Sequence, residues 1–317
     1  MANLLASPRF YKKKSLLIKL ETVVGTDAVP TGAANWVEGR NVRITPMQAE
    51  TAERNIDLPY LGRGGKLQVA QYAQVQFEVA LTGPSTGAAG DAPAYAHLLQ
   101  ACGFSQTLTA LTDAVYNLAS ADFKAVSAVI NMDGTDHKMI GSRGSVSYQL
   151  NAKGIPVMRF QFDAIFVDPA EVVPPAVTTT GWPLEEPVTA DNTSPISING
   201  VDLVFSAFSL DLANQLSRIN LPGPQKEVAI GDRAPSGSTT VLCPALSVFN
   251  PFALAKTGTN VPIQLTHGSA AGKQVQLDAN AVITNVDYAE VDKMAAYTLT
   301  FEPTPVSGND EFAHTCL

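Results

Sequence analysis

The sequence has little of what catalytic or metal-binding chains usually display. Only three of its 317 residues are cysteine and four are histidine. Cys102, Cys243 and Cys316 stand far apart with no CxxC or similar spacing, so they read as buried or bystander thiols and not as a zinc or redox site. No apolar run approaches the roughly 18 to 20 residues of a membrane span. Lys12, Lys13 and Lys14 lead only into SLLIKL, too short and too charged for a signal-peptide core, so the expectation is a cytoplasmic start and no membrane partner. A cationic surplus is missing as well: the net charge is −8 and the pI about 5.0. That excludes a tight nucleic-acid surface built on phosphate neutralisation. The acidity lies in one half. Residues 1 to 168 hold 15 Lys and Arg against 14 Asp and Glu, net +1, and residues 169 to 317 hold 6 against 15, net −9.

Helical periodicity is also scarce. It is confined to APAYAHLLQACG, opened near Asp91 and Pro93 and closed by Gly103, and to NPFALAKTG, capped by Asn250 with Pro251 at the first helical position and closed by Gly258. What fills the chain is alternation. In KLQVAQYAQVQFEVALT, a strand of about 16 residues by its period of two, Leu67, Val69, Val75, Phe77, Val79 and Leu81 share one face. Lys66, Gln68, Gln74, Gln76, Glu78 and Thr82 share the other. IPVMRFQFDAIFV sets Met158, Phe160, Phe162 and Phe166 opposite Arg159, Gln161 and Asp163. AAYTLTFEP sets Tyr297, Leu299 and Phe301 opposite Thr298, Thr300 and Glu302. Between these blocks, DPAEVVPPAVTTTGWPLEEPVTADNTSP loses all periodicity and reads as an extended linker. The expected division is a domain at 1–170, a Pro/Thr-rich linker at 171–195 and a second domain at 196–317.

The halves echo one another, each running strand, loop, strands, short helix and two further strands. The sharpest echo is Arg-Asn-Ile-Asp-Leu-Pro at 54 to 59 against Arg-Ile-Asn-Leu-Pro at 218 to 222. Both fall in loops long enough to imply a contact.

Motifs that suggest chemistry are weak. GPSTG, Gly83 to Gly87, matches a nucleophile elbow around Ser85, but AAGDAP intervenes before the helix and no βαβ frame surrounds it. GSAAGKQ is one residue short of a phosphate loop and lacks the Ser or Thr after Lys273. His97 has no second histidine at metal spacing; His267, in a turn, and His314, in the polar tail, are expected to be solvated. MDGTDHKMIGSRG, Met132 to Gly144, has too few oxygen ligands for a calcium loop and reads as a hairpin turned at Asp133-Gly134.

Two stretches resemble a known family. LLIKLETVVGTDAVPTGAANWVEGRNVRITPMQAE and DGTDHKMIGSRGSVSYQLNAKGIPVMRFQFDAIFVDP are similar to the opening and the last sheet strands of major tail tube proteins from phages with long, non-contractile tails. The likeness runs over roughly residues 12 to 170, and the second half joins it through the repeat. It implies a mainly β fold of two tandem β-sandwich or split-barrel tube domains, each with one short flanking helix. It also implies a structural role without catalytic residue, cofactor or metal, in stacked rings around a DNA channel. Two domains per chain favour a trimeric, pseudo-sixfold ring; the alternative is a hexameric ring whose second half is decoration. Lumen candidates are then Gln74, Gln76, Glu78, Arg159, Gln161, Asp163, Thr298, Thr300 and Glu302. Contacts between subunits or rings fall to Arg54, Leu58, Pro59, Tyr60, Arg218, Leu221, Pro222, Asp136 and His137. The implied partners are further copies, a tape measure protein and passing double-stranded DNA in the lumen, and terminator and distal tail proteins at the ends. The implied location is a virion tail assembled in the host bacterial cytoplasm. Competing readings are a β-sandwich that binds carbohydrate or decorates a particle, though Trp36 and Trp182 stand alone, and an esterase using Ser85.

Overall fold

The structure, a computed structural model describing residues 8–223 and 225–317, is built almost wholly of antiparallel strands. The first half contains β1 (Lys14–Leu20), β2 (Arg40–Glu53), β3 (Lys66–Ala80), helix α1 (Ala96–Ala101), β4 (Phe104–Thr109), β5 (Asp113–Leu118), β6 (Val126–Met132), β7 (Thr135–Asn151) and β8 (Val157–Phe166). After the short β9 (Ala170–Glu171) come β10 (Ile196–Ile198), β11 (Val201–Leu203), β12 (Phe205–Asp211), β13 (Asn214–Asn220), β14 (Lys226–Arg233) and β15 (Ser236–Leu242). Helix α2 (Pro251–Thr257), β16 (Asn260–His267), β17 (Val275–Val291), β18 (Met294–Pro303) and β19 (Phe312–Cys316) complete the chain.

Strand order repeats. In the first half neighbours run β2, β3, β8, β7, β6, β1. In the second they run β12, β15, β18, β17, β16, β10. β13 and β14 prolong the β12/β15 hairpin as the outer parts of β2 and β3 prolong theirs. The helices fall at matching places, after β3 and after β15. α2 shows the expected ends: Asn250 Oδ1 accepts from the Ala253 amide at 3.1 Å, and Gly258 closes it at φ +61°. α1 starts later than the Asp91-Pro93 signal suggests, because a turn takes up residues 93–95.

Two ladders tie the halves together. The last residues of β7 pair with β12, from Asn151↔Ala207 to Ser147↔Asp211. On the other side β19 lies between β5 and β17. The inward faces merge into one hydrophobic cluster, in which Phe77, Phe160 and Phe162 stack together and Phe208 stacks on Phe301. The 171–195 segment runs extended, as its composition dictates, but it is fastened down. Val188 is buried, the Trp182 indole donates to the Trp36 carbonyl at 3.2 Å, and Glu185 ion-pairs with Arg40.

Three expectations fail. The period of two puts Leu67 and Val69 on the same face of β3 as the buried Val75 and Phe77, yet they are 58% and 56% exposed. The outer parts of β2 and β3 project past the core, and the bulges in their ladder break the single alternation that the sequence suggests. His267 and His314 are buried instead of solvated. The last residues form β19, whose inward Phe312, His314 and Cys316 complete the core; the His314 ring lies between Tyr95 Oη at 3.2 Å and Tyr148 Oη at 3.3 Å.

Burial lowers the His314 pKa to about 3 and that of His97 to about 4. Both then take a proton more readily in the unfolded chain, near the usual 6.5, than in the folded one. Their neutral burial therefore stabilises the fold above about pH 6.5, and that contribution is lost as pH falls toward 4. Each can cost up to about 1.4 kcal/mol per pH unit in that window. Urea unfolding between pH 7 and 5 is expected to show a slope shallower by about that amount in His314→Gln; an unchanged slope would show that His314 is not held neutral.

Candidate functional site

The polar residues of the alternating strands gather on one face of the sheet, opposite the core. Cross-strand register sets Gln76 beside Gln161 and Gln161 beside Ser145. The next row runs Glu78, Arg159, Ser147, Asp211 and Ser236. A third runs Gln149, Ser209, Ser238, Thr300 and Asn285, and Thr240, Thr298 and Asp287 follow. Rows of this kind cross from one half to the other through the β7–β12 ladder without a break. They line two adjoining concavities that share Ser147, Arg159 and Asp211.

Most members of this face are neutral and bonded to one another. Gln76 Nε2 donates to Gln161 Oε1 at 2.9 Å, the Ser209 and Ser238 hydroxyls lie 3.0 Å apart, and those of Thr240 and Thr298 lie 3.2 Å apart. The one cation placed there from sequence, Arg159, is neutralised: its Nε donates to Glu78 at 2.7 Å. Gln74, Gln76, Glu78, Arg159, Gln161, Thr298 and Thr300 therefore share one surface. Glu302 is exposed farther along the same strand, in a separate hollow with Arg233 and Glu311.

Asp163 and Arg218 depart from their expected places. Asp163 is buried, and Arg218, expected at a loop tip, lies in β13 and reaches it at 2.8 Å. The same guanidinium donates to Gln48 at 2.6 Å and stands 5.0 Å over the Tyr72 ring. Beneath it Val228 and Leu216 pack on Ala70 and Tyr72. The β13–β14 hairpin is thus clamped across the end of the first half's polar face. The pair spans 55 residues of sequence, and no local pattern signals it.

The paired outer parts of β2 and β3 form an arm closed by the 54–65 loop. Arg54, Pro59 and Tyr60 are exposed there and Leu58 is half-buried. Sequence reasoning overlooked the arm's apolar surface, Met47, Ile56, Leu61, Leu67 and Val69, all more than 40% exposed. Leu221 and Pro222 are exposed at the tip of the second hairpin.

Asp136 and His137 lie at the start of β7. Asp133 at φ +48° and Gly134 at φ +102° make the turn between β6 and β7, and Asn131 Nδ2 donates to the buried Asp136 at 2.6 Å. His137 is half-buried opposite Ile130, and burial lowers its pKa. Two further polar side chains of the stretch are also held within the chain, Lys138 by Asp27 and Arg143 by the carbonyls of Phe123 and Val228.

The two glycine loops pack against each other. Side chains at Gly83 or Gly272 would collide with the backbone of Lys273 or Gly87 respectively, which explains both glycines without chemistry. The Ser85 hydroxyl donates to the Ala92 carbonyl at 3.1 Å. Among the described residues no group of three His, Cys, Asp or Glu side chains is arranged to hold a metal ion.

Removing one partner of the largely buried Asp163–Arg218 pair leaves the other charge poorly solvated. Arg218→Ala and Asp163→Asn are each expected to cost about 2 kcal/mol in urea unfolding. The double variant should cost clearly less than the two combined; strict additivity would show that the contact contributes nothing.

A family model for phage tail tube proteins matches residues 12–310, a span that takes in both hairpins, the polar face and the whole repeat. Comparison with curated proteins finds no match. Among the described residues no helix is long and apolar enough to cross a membrane. The chain belongs to the phage tail tube protein family and is a structural component of a phage tail.

Proposed function

We propose that three copies of this chain close into a pseudo-sixfold ring, that the continuous polar face lines a channel for double-stranded DNA, and that rings stack through the hairpin arms. The observation that carries this reading is the β7–β12 ladder. It joins β2, β3, β8 and β7 of one half to β12, β15, β18 and β17 of the other with the polar face on the same side throughout. Each chain then supplies two adjoining segments of a barrel wall, one from residues 1–170 and one from 196–317, with 171–195 as the connection. A ring of six chains with the second half as outer decoration would leave half of this face outside the channel.

The face suits a conduit. A surface mostly of amides and hydroxyls, on which Arg159 is paired with Glu78 and Arg43 stands exposed beside Gln76, offers phosphates no array of cations and releases few counterions, so DNA passes without being held. The same channel would hold the tape measure protein before DNA enters. Terminator and distal tail proteins would close the two ends, with assembly taking place in the host bacterial cytoplasm. At the arms, apolar side chains exposed on a projecting hairpin are costly in a lone chain and gain by burial against a neighbouring ring. Arg54, Leu58, Pro59 and Tyr60 would take part there, joined by Leu221 and Pro222 on the second hairpin.

Electron microscopy of the concentrated protein is expected to show annular particles and stacks of them; a dispersed monomer in every buffer would contradict the proposal. Tyr60→Ser with Leu61→Ser should change folding stability by no more than about 0.5 kcal/mol while leaving rings that do not elongate, and normal tubes from this variant would remove the arm from the stacking contact. Gln76→Lys with Gln161→Lys should convert the channel into one that retains DNA at low salt and releases it as salt rises. Equal DNA retention by the variant and the parent would mean that this face does not meet DNA.

A further inference from the structure

We infer that the β2–β3 arm of one copy docks on an apolar rim, formed by Val204, Leu246, Val248 and Met294, at the opposite end of a copy in the next ring. This rests on the stacking reading above and names the surface that receives the arm.

The ladders fix which features lie at which end of the wall. In β3, Tyr72 lies toward the arm and Ala80 away from it; Tyr72 pairs with Ile165, Ala80 with Val157, and Val157 with Gln149. Across the internal seam Ser147 pairs with Asp211 and Asn151 with Ala207. Beyond it Asp211 pairs with Ser236 and Phe205 with Val241, while Gly237 pairs with Phe301 and Leu242 with Ala296. Tyr72, Ile165, Asp211, Ser236 and Phe301 therefore mark one end, and Ala80, Val157, Phe205, Leu242 and Ala296 the other. Both the arm and the β13–β14 hairpin leave the wall at the first end.

The second end is finished differently in the two halves. In the first half the 171–195 segment crosses the β7–β8 turn. The Lys153 amide donates to the Val188 carbonyl at 2.8 Å, the Val188 amide donates to the Gly154 carbonyl at 2.8 Å, and Val188 and Pro156 are buried. In the second half three segments meet at the same level: the Leu242 amide donates to the Val204 carbonyl at 2.9 Å and the Cys243 amide to the Ala295 carbonyl at 3.0 Å. Their outward side chains are bare. Val204 and Met294, with Leu246 and Val248 on the turn that leaves β15, are each more than 50% exposed. Helix α2, which follows that turn, buries only Pro251, whereas α1 buries Ala96, Leu98, Leu99 and Ala101.

An apolar surface of this kind, left in water by a lone chain, marks a contact. A stack that extends along one axis joins two different surfaces of the same chain and not one surface to itself. The occupant of the rim must then recur once per chain and project from the opposite end. The arm meets both conditions, and its Leu61, Leu67 and Val69 are likewise more than 50% exposed. Charge agrees in sign: Glu290, Asp292 and Lys293 beside Met294 sum to −1, and Arg54, Asp57 and Arg63 in the 54–65 loop sum to +1.

The test uses preformed rings. Val248→Asp with Met294→Asp disables the rim, and Tyr60→Ser with Leu61→Ser disables the arm. All four residues are exposed, so each variant is expected to unfold at the parent's urea concentration and to form rings; Val248→Ser with Met294→Ser replaces the aspartates if they prevent ring formation. Alone, each variant is expected to give single rings by electron microscopy. Mixed, the intact arms of one meet the intact rims of the other, and the expected product is pairs of rings with no longer stack. Rim-variant rings that elongate as the parent does, or a mixture that stays as single rings, would overturn the rim as the receiving surface while leaving the arm's part in stacking intact. Arm-variant rings that elongate would overturn arm and rim together.

Discussion

The ladder between Ser147–Asn151 of β7 and Ala207–Asp211 of β12 is the connection on which the rest of the structure depends. β7 is 17 residues long, more than β6 can cover, and an uncovered strand end is a row of unsatisfied amides and carbonyls. The second half covers it. That one pairing aligns the polar faces of both halves, buries Val146, Tyr148 and Leu150, and brings β13–β14 over Tyr72 where Arg218 can reach Asp163. On the opposite side β19 repeats the principle by filling the space between β5 and β17. Two β units that could have been separate bodies thereby share a single core.

Much of this was legible from period-two patterning, because burial on one face only is what forces alternation. The polar sides of β3, β8 and β18 and the inward Phe160, Phe162, Leu299 and Phe301 follow from it directly. So did the Asp133-Gly134 turn, whose geometry needs positive φ, and the ends of α2, which depend on Asn250 and Gly258 alone. What escaped was decided by partners distant in sequence. Asp163 alternates like a surface residue, and only the arrival of β13 buries it. His314 sits in a segment that reads as a polar tail, and it is buried because β5 and β17 leave a gap of one strand. Leu67 and Val69 alternate like core residues on a stretch of strand that outruns the core.

The proposed role asks two opposite things of one sheet. Its inner face must pack tightly, which phenylalanine stacking and buried neutral histidines achieve. Its outer face must stay wet and nonadhesive, which short hydroxyl and amide side chains achieve by bonding to one another and leaving few charges free. The departures from this economy are the apolar arm at one end of the wall and the bare rim at the other. These are where a lone chain is least satisfied and where further copies would complete it.

Native mass spectrometry of isolated rings tests the central claim most directly, because the two ways of building a sixfold wall differ in mass. A ring of three 33.5 kDa chains is the predicted result. A ring of six would contradict the account, since it would put half of the continuous polar face outside the channel.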